Sequence, residues 1–148
     1  MKLILPLGLQ AQIEAETKSA FPRECCGLIE GMVSGEVFEA RALHPARNDA
    51  KASDRFEIAP EDHFTASRLA RANHHNVIGC YHSHPNGAPV PSRHDLNGAE
   101  EEDFLWLIAA SGGADCTLRA FLYRSSTLEP LALTTGADCV TSSLNERN

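Results

Sequence analysis

The stretch that most restricts this chain runs from Asn76 to Pro85. Asn76 to Tyr81 is short, apolar and β-branched at Val77 and Ile78, and it continues directly into His82-Ser83-His84-Pro85. That pattern reads as a central strand ending in two histidines. In an extended backbone residues i and i+2 point to one side, so His82 and His84 present both imidazoles to the same point. Pro85 ends the strand and favours an extended His84. Asn86 to Pro91 holds Gly87, Pro89 and Pro91 and reads as a loop that returns the chain to a short helix spanning Ser92 to Glu100. Ser92 and Asp95 share one face of that helix. Two imidazoles and a carboxylate thus converge, and three protein ligands with a fourth position open describe a catalytic zinc site. Each half also has an ordinary explanation. A His-x-His pair is by itself a weak signal, and Ser92-x-x-Asp95 fits a helix capping box. The combination of strand, His-x-His-Pro, tight loop and Ser-x-x-Asp raises the odds of a site.

Around this stretch the chain reads as alternating elements. Lys2 to Leu5 is a short strand, and Leu9 to Ala20 a helix that Pro22 stops. Cys25 to Val33 and Glu36 to Leu43 form a hairpin about Ser34-Gly35. Pro45 to Asp54 is polar and reads as a loop, and Arg55 to Ile58 as a short strand. Pro60 opens a second helix, with Glu61 and Asp62 at its positive end and Ala66, Leu69 and Ala70 as its buried stripe. Strands at Phe104–Ala110, Cys116–Tyr123 and Leu128–Leu133 follow, the first two separated by a Gly112-Gly113 turn. The polar residues 135–148 read as a tail compatible with disorder. Strands and helices are mixed without regular alternation, which implies an α/β sandwich, a mixed β-sheet flanked by helices, rather than a barrel or bundle.

The length of 148 residues suits one domain, residues 1–134, with one core. A net charge of -7 argues against a nucleic-acid partner and against a polybasic membrane patch. No run reaches the roughly 18 apolar residues of a membrane span. The apolar start carries only Lys2, contains Pro6 and leads straight into charged sequence, which argues against a secretory leader. The five cysteines show no framework spacing and read as buried thiols in a reducing cytoplasm.

Residues 82 to 95 match, without a gap, the motif H-x-H-x7-S-x2-D, and the chain here resembles the JAMM metalloproteases of MPN domains. Members of that family commonly carry Pro-x-Glu-x-Cys-Gly upstream, and Pro22-Arg23-Glu24-Cys25-Cys26-Gly27 matches it. The resemblance implies the cytidine-deaminase-like α/β fold of the family, with Zn2+ held by His82, His84 and Asp95. It implies Glu24 as general base toward a water and Ser92 as oxyanion donor. It further implies hydrolysis of a peptide or isopeptide bond, deubiquitinase-like, after the C-terminal Gly-Gly of a ubiquitin-like or sulfur-carrier protein. Such a tail is expected to add a strand to a sheet edge near the metal. The short segments between motifs resemble the compact prokaryotic branch.

Three other readings compete. A non-haem iron oxygenase also uses two histidines and a carboxylate, but on double-sheet barrels, whereas this chain has many helical stretches. A cysteine protease built on Cys25 or Cys26 leaves the His-x-His-to-Asp spacing unexplained. A non-catalytic MPN scaffold accounts for the fold but not for a complete set of ligands. Zinc nucleobase deaminases need a Cys-x-x-Cys that is absent here.

Overall fold

A computed structural model describes residues 1–85, 87–111 and 116–136. Among these the elements run β1 (Lys2–Leu5), α1 (Leu7–Ala20), β2 (Cys26–Ser34), β3 (Val37–Ala46), α2 (Pro60–Ala72), β4 (Asn76–Pro85), α3 (Arg93–Gly98), β5 (Leu105–Ser111), β6 (Cys116–Arg124) and β7 (Thr127–Thr135). The Gly112-Gly113 turn and the polar tail from residue 137 lie outside the described residues.

The mixed sheet and its helices are as the sequence implies, but the sheet is not an open layer. Its order is β1-β3-β2-β4-β5-β6-β7, closed by β1. Lys2–Leu5 pairs in parallel with β3, Leu3 opposite Phe38, and in parallel with β7, Leu3 opposite Leu133. Leu3 and Leu5 are fully buried, so this short strand is a hydrophobic staple joining two distant edges. The closed order leaves no whole-strand edge among the described residues to which a substrate tail could add a strand. The remaining opening is local. The β2–β4 ladder stops at Cys26 opposite His82; past it Ser83 still bonds Cys25, and β4 runs on to Pro85 against β5.

The two cores lie on opposite faces of β4 and β5. Tyr81, Leu105 and Leu107 pack with Leu3, Leu5 and Ile13 of α1. Cys80, Trp106 and Ile108 pack with Leu28 of β2 and Ala66 of α2. His82 follows Cys80 by two residues and so emerges on the α2 side. Gly27 makes the first core possible, because a Cβ there would sit 2.4 Å from the Tyr81 ring.

Three local expectations change. β3 continues through Pro45, which pairs opposite Gly27. The β1 ladder on its other side covers only Val37 to Glu39, so no N–H is needed from Pro45. Arg55 to Ile58 is not a strand; only Ile58 bridges, to Asn48. Leu69 is 45% exposed, because α2 meets the sheet through the small residues Ala66 and Ala70 and leaves its larger neighbour at the margin.

The far end of α2 is tied to the sheet by a buried carboxylate. Glu30 is 1% exposed and accepts from Asn73 Nδ2 at 3.1 Å, while His75 Nδ1 at 2.6 Å and His44 Nε2 at 2.8 Å share its oxygens. The register shifts of both neighbouring strands fall next to Glu30, so its position coincides with a break in each ladder. Burial alone would raise its pKa, but the bonds from His75, His44 and Asn73 outweigh burial and hold it below the ordinary 4.5. A depressed folded-state pKa contributes stability above the carboxylate range and loses it as pH falls through the folded value. Glu30→Ala is expected to cost about 3 kcal/mol in urea unfolding at pH 7, and the gap to wild type should narrow as the pH falls below the ordinary carboxylate range. An unchanged midpoint at pH 7 would refute this role.

Candidate metal centre

The site forms where β4 outruns its partner strand. His82 Nε2 and His84 Nε2 lie 3.0 Å apart. Asp95 places Oδ1 3.0 Å from His82 Nε2 and Oδ2 3.1 Å from His84 Nε2. A tetrahedral ion with bonds of 2.0–2.1 Å needs ligand atoms about 3.3 Å apart, close to this spacing. Lone pairs of two imidazoles facing each other at such range repel unless a proton or cation lies between them. The donor set of two imidazoles and a carboxylate suits zinc.

Asp95 arrives on α3 through the capping box the sequence suggests. Ser92 Oγ accepts from Asp95 N–H at 3.1 Å, and Asp95 Oδ2 accepts from Ser92 N–H at 2.8 Å. The capping box of Ser92-x-x-Asp95 is thus compatible with the place of Asp95 beside the histidines. The same carboxylate caps the helix and faces both histidines.

Glu24 precedes β2 and completes a second grouping. One ligand atom each from Glu24, His82 and His84 lies within 4.8 Å of the others. Two triads therefore share the histidine pair, and the electrostatics separate their acids. Burial would raise the Asp95 pKa, but hydrogen bonds from His82 and His84 outweigh it and hold the carboxyl well below the usual range. Glu24 is pushed up to about 7, first by burial, with His84 opposing and Asp95 and Asp54 adding to the rise. Its Oε1 is buried without a hydrogen-bond partner among the described residues. Asp95 is thus the acid held as an anion beside the two histidines, and Glu24 the acid whose proton affinity is raised.

The histidines also differ. His82 is fully buried, and burial lowers its pKa. For His84 burial acts downward too, but the bonds to Asp95 and to the Ala88 carbonyl outweigh it and raise the value. Ser92, Glu24 and His84 line a groove of about 440 Å³ whose other walls include Pro22, Asp54 and Pro85.

All five residues expected from sequence come together here. The sequence reading missed three that hold them. Ser83, on the opposite face of β4, accepts from Cys25 N–H through Oγ at 2.8 Å and donates its own N–H to Cys25 O at 3.1 Å, fixing the backbone beside Glu24. Asn48 donates Nδ2 to the Glu24 carbonyl at 3.0 Å. Phe56 stacks on His82. Alternation along β4 was the signal available for Ser83; the other two lie in a segment without periodicity. The thiols do not fit a nucleophile: burial raises the Cys25 pKa and pushes that of Cys26 up to about 12.

The chain matches the prokaryotic homologues of the JAB domain over residues 6–122. A desampylase of Haloferax volcanii is 30% identical over 93 residues, 62% of this chain and 66% of the relative. A desampylase of Pyrococcus furiosus is 32% identical over 112 residues, 75% of this chain and 76% of that protein. The chain thus spans about two thirds to three quarters of the length of these relatives. The solution structure of a protein from Desulfitobacterium hafniense superposes with a TM-score of 0.83 at 23% identity, covering 90% of this chain and 92% of that one, and shares its fold. Among the described residues no helix is long and apolar enough to cross a membrane.

Zinc at about 100-fold over its dissociation constant should add ~2.7 kcal/mol of stability, a rise of roughly 5–10 °C in melting temperature that EDTA reverses. His84→Ala should melt at one temperature with or without zinc. A wild type indifferent to both zinc and EDTA would count against the centre.

Proposed function

The chain belongs to the prokaryotic homologues of the JAB domain, and from that premise we propose that it is a zinc-dependent peptidase or isopeptidase acting after the C-terminal Gly-Gly of a ubiquitin-like or sulfur-carrier protein. The observation that carries the reading is the convergence of His82, His84 and Asp95 at 3.0–3.1 Å beside a buried Glu24 oxygen that has no hydrogen-bond partner among the described residues. Two relatives named desampylases support an isopeptide substrate.

In this reading His82, His84 and Asp95 hold the ion. Zinc, when bound, supplies Lewis acidity that polarises a carbonyl and lowers the pKa of water from 15.7 toward ~7. Glu24, raised to about 7, accepts a proton at Oε1 from the attacking water and returns it to the leaving amine. Ser92 Oγ receives its hydrogen bond from Asp95 N–H, so its own proton is free to donate to the developing oxyanion. One such donor is typically worth ~3 kcal/mol. Pro22, Pro85 and Gly87 at the groove give walls suited to a tail of small residues. Because Ser83 N–H is already given to Cys25 O and Pro85 has no N–H, the tail lies in the groove beside β4 rather than adding a strand to it. A lysine side chain or a small amine such as cysteine occupies the leaving position.

The test is cleavage of a ubiquitin-like carrier extended past Gly-Gly, with and without chelator. Glu24→Gln should bind zinc as wild type does and lose about 10²–10⁴-fold in rate. Asp95→Asn should lose zinc and activity together. Normal hydrolysis by Glu24→Gln would remove it as base. Zinc loss in Glu24→Gln with retention in Asp95→Asn would reassign the third ligand. A protein that holds no metal and cleaves nothing, yet binds a carrier, would be a scaffold; one that loads iron and consumes oxygen would be an oxygenase.

A further inference from the structure

A metal-binding histidine ordinarily donates its second ring N–H to a carboxylate, carbonyl or water, which fixes ring orientation. His84 follows that rule, with Nδ1 2.9 Å from the Ala88 carbonyl. His82 does not. Its ring is fully buried, and Nδ1 has no hydrogen-bond partner among the described residues. Two aromatic rings surround it instead. Phe56 stacks on its face, with centroids 4.2 Å apart and planes 22° from parallel. Trp106 meets it edge-on at 5.8 Å and 87°, and meets Phe56 at 5.7 Å and 66°.

We propose that Phe56, backed by Trp106, is the positioning residue for His82, holding by aromatic packing the ring orientation that a hydrogen bond would otherwise hold. This rests on the reading of His82 as a metal ligand and adds to it how that ligand is aimed. Trp106 belongs to β5, next to β4, and is 6% exposed, so it is a fixed wall. Phe56 comes from irregular backbone and needs its own anchor, which Asn48 supplies. The Asn48 amide donates to the Arg55 carbonyl at 3.1 Å and accepts from Glu57 N–H at 3.0 Å, the two peptide groups that flank Phe56. The same Nδ2 donates to the Glu24 carbonyl at 3.0 Å. One side-chain amide therefore sets both the ring that aims His82 and the backbone that carries Glu24.

The stack has a specific geometric consequence. Rotation of the imidazole about its Cβ–Cγ bond would drive it into the Phe56 face or the Trp106 edge, so Nε2 stays directed at His84 and Asp95. An aliphatic side chain of similar volume fills the space but presents no flat surface.

The experiment compares wild type, Phe56→Leu and Phe56→Tyr in full-length protein. Zinc affinity is read by competition with a chromophoric chelator, and the ligand field by the visible d–d bands after loading with Co2+. Phe56→Leu should lose about 10–100-fold in zinc affinity, with weakened and shifted Co2+ bands and an unchanged far-ultraviolet circular dichroism spectrum of the metal-free protein. Phe56→Tyr should restore both readouts. Should Phe56→Leu fail to fold, Phe56→Met takes its place with the same expectation. Wild-type zinc affinity and Co2+ bands in the folded aliphatic variant would overturn the inference while leaving the metal centre standing. A wild type that takes up neither Zn2+ nor Co2+ would overturn both.

Discussion

Two imidazole nitrogens 3.0 Å apart, each about as close to a carboxylate oxygen, are a tense arrangement inside a protein. Without a proton or cation between them their lone pairs would repel, and one of the rings has no access to water. A charge or proton at the centre converts that repulsion into attraction, and in a poorly solvated site the attraction is strong. Much of the surrounding structure bears on keeping these atoms near one another. β4 contributes two side chains of the same parity. The loop after Pro85 brings α3 back so that Asp95 meets both. The capping box adds a third bond to the Asp95 carboxylate, from Ser92 N–H, so that its orientation is fixed from the helix side as well.

The closed sheet explains why this happens at one end of β4. A strand paired along its whole length on both sides is rigid and offers its backbone to nothing else. β4 is paired with β2 only as far as His82, but with β5 as far as Pro85. The histidines therefore stand on a strand held firmly by one neighbour while the other side opens toward Glu24 and the groove. Closure through β1 keeps the rest of the sheet from presenting a competing edge.

Much of this was legible in the chain, and the failures share a cause. His82 and His84 follow from strand alternation. Ser92 and Asp95 follow from helix spacing, and their capping box is compatible with the place of Asp95 beside the histidines. Glu24 needed the upstream motif, because a lone carboxylate before a strand looks like a solvated one. Barrel closure was not legible: it depends on Lys2–Leu5 pairing in parallel with strands remote in sequence, and parallel pairing leaves no turn signature. With closure went the argument that helical content sets this chain apart from barrel folds; the family match and the parallel pairs now make that distinction. Phe56 and Asn48 were hidden for a related reason. Their segment is ordered by side-chain bonds to its own backbone, and such bonds have no period for a sequence to display.

The segment that leads into β2 extends this point from position to chemistry. Glu24 lies just before β2 and Glu30 within it, so one chain segment carries two buried acids. Glu30 is met by two histidines and an asparagine, and its proton affinity falls below the ordinary value. Glu24 keeps one oxygen without a partner among the described residues, and burial lifts its affinity to about 7. The residue type is the same; the number of donors supplied is not. Satisfying Glu24 as fully as Glu30 would fix it as a permanent anion and take away its capacity to exchange a proton near neutral pH. On the proposed reading, the oxygen without a partner among the described residues is a local loss of stability where Glu24 exchanges its proton, and the well-bonded carboxylate in the middle of β2 helps hold the frame in which that loss is tolerated.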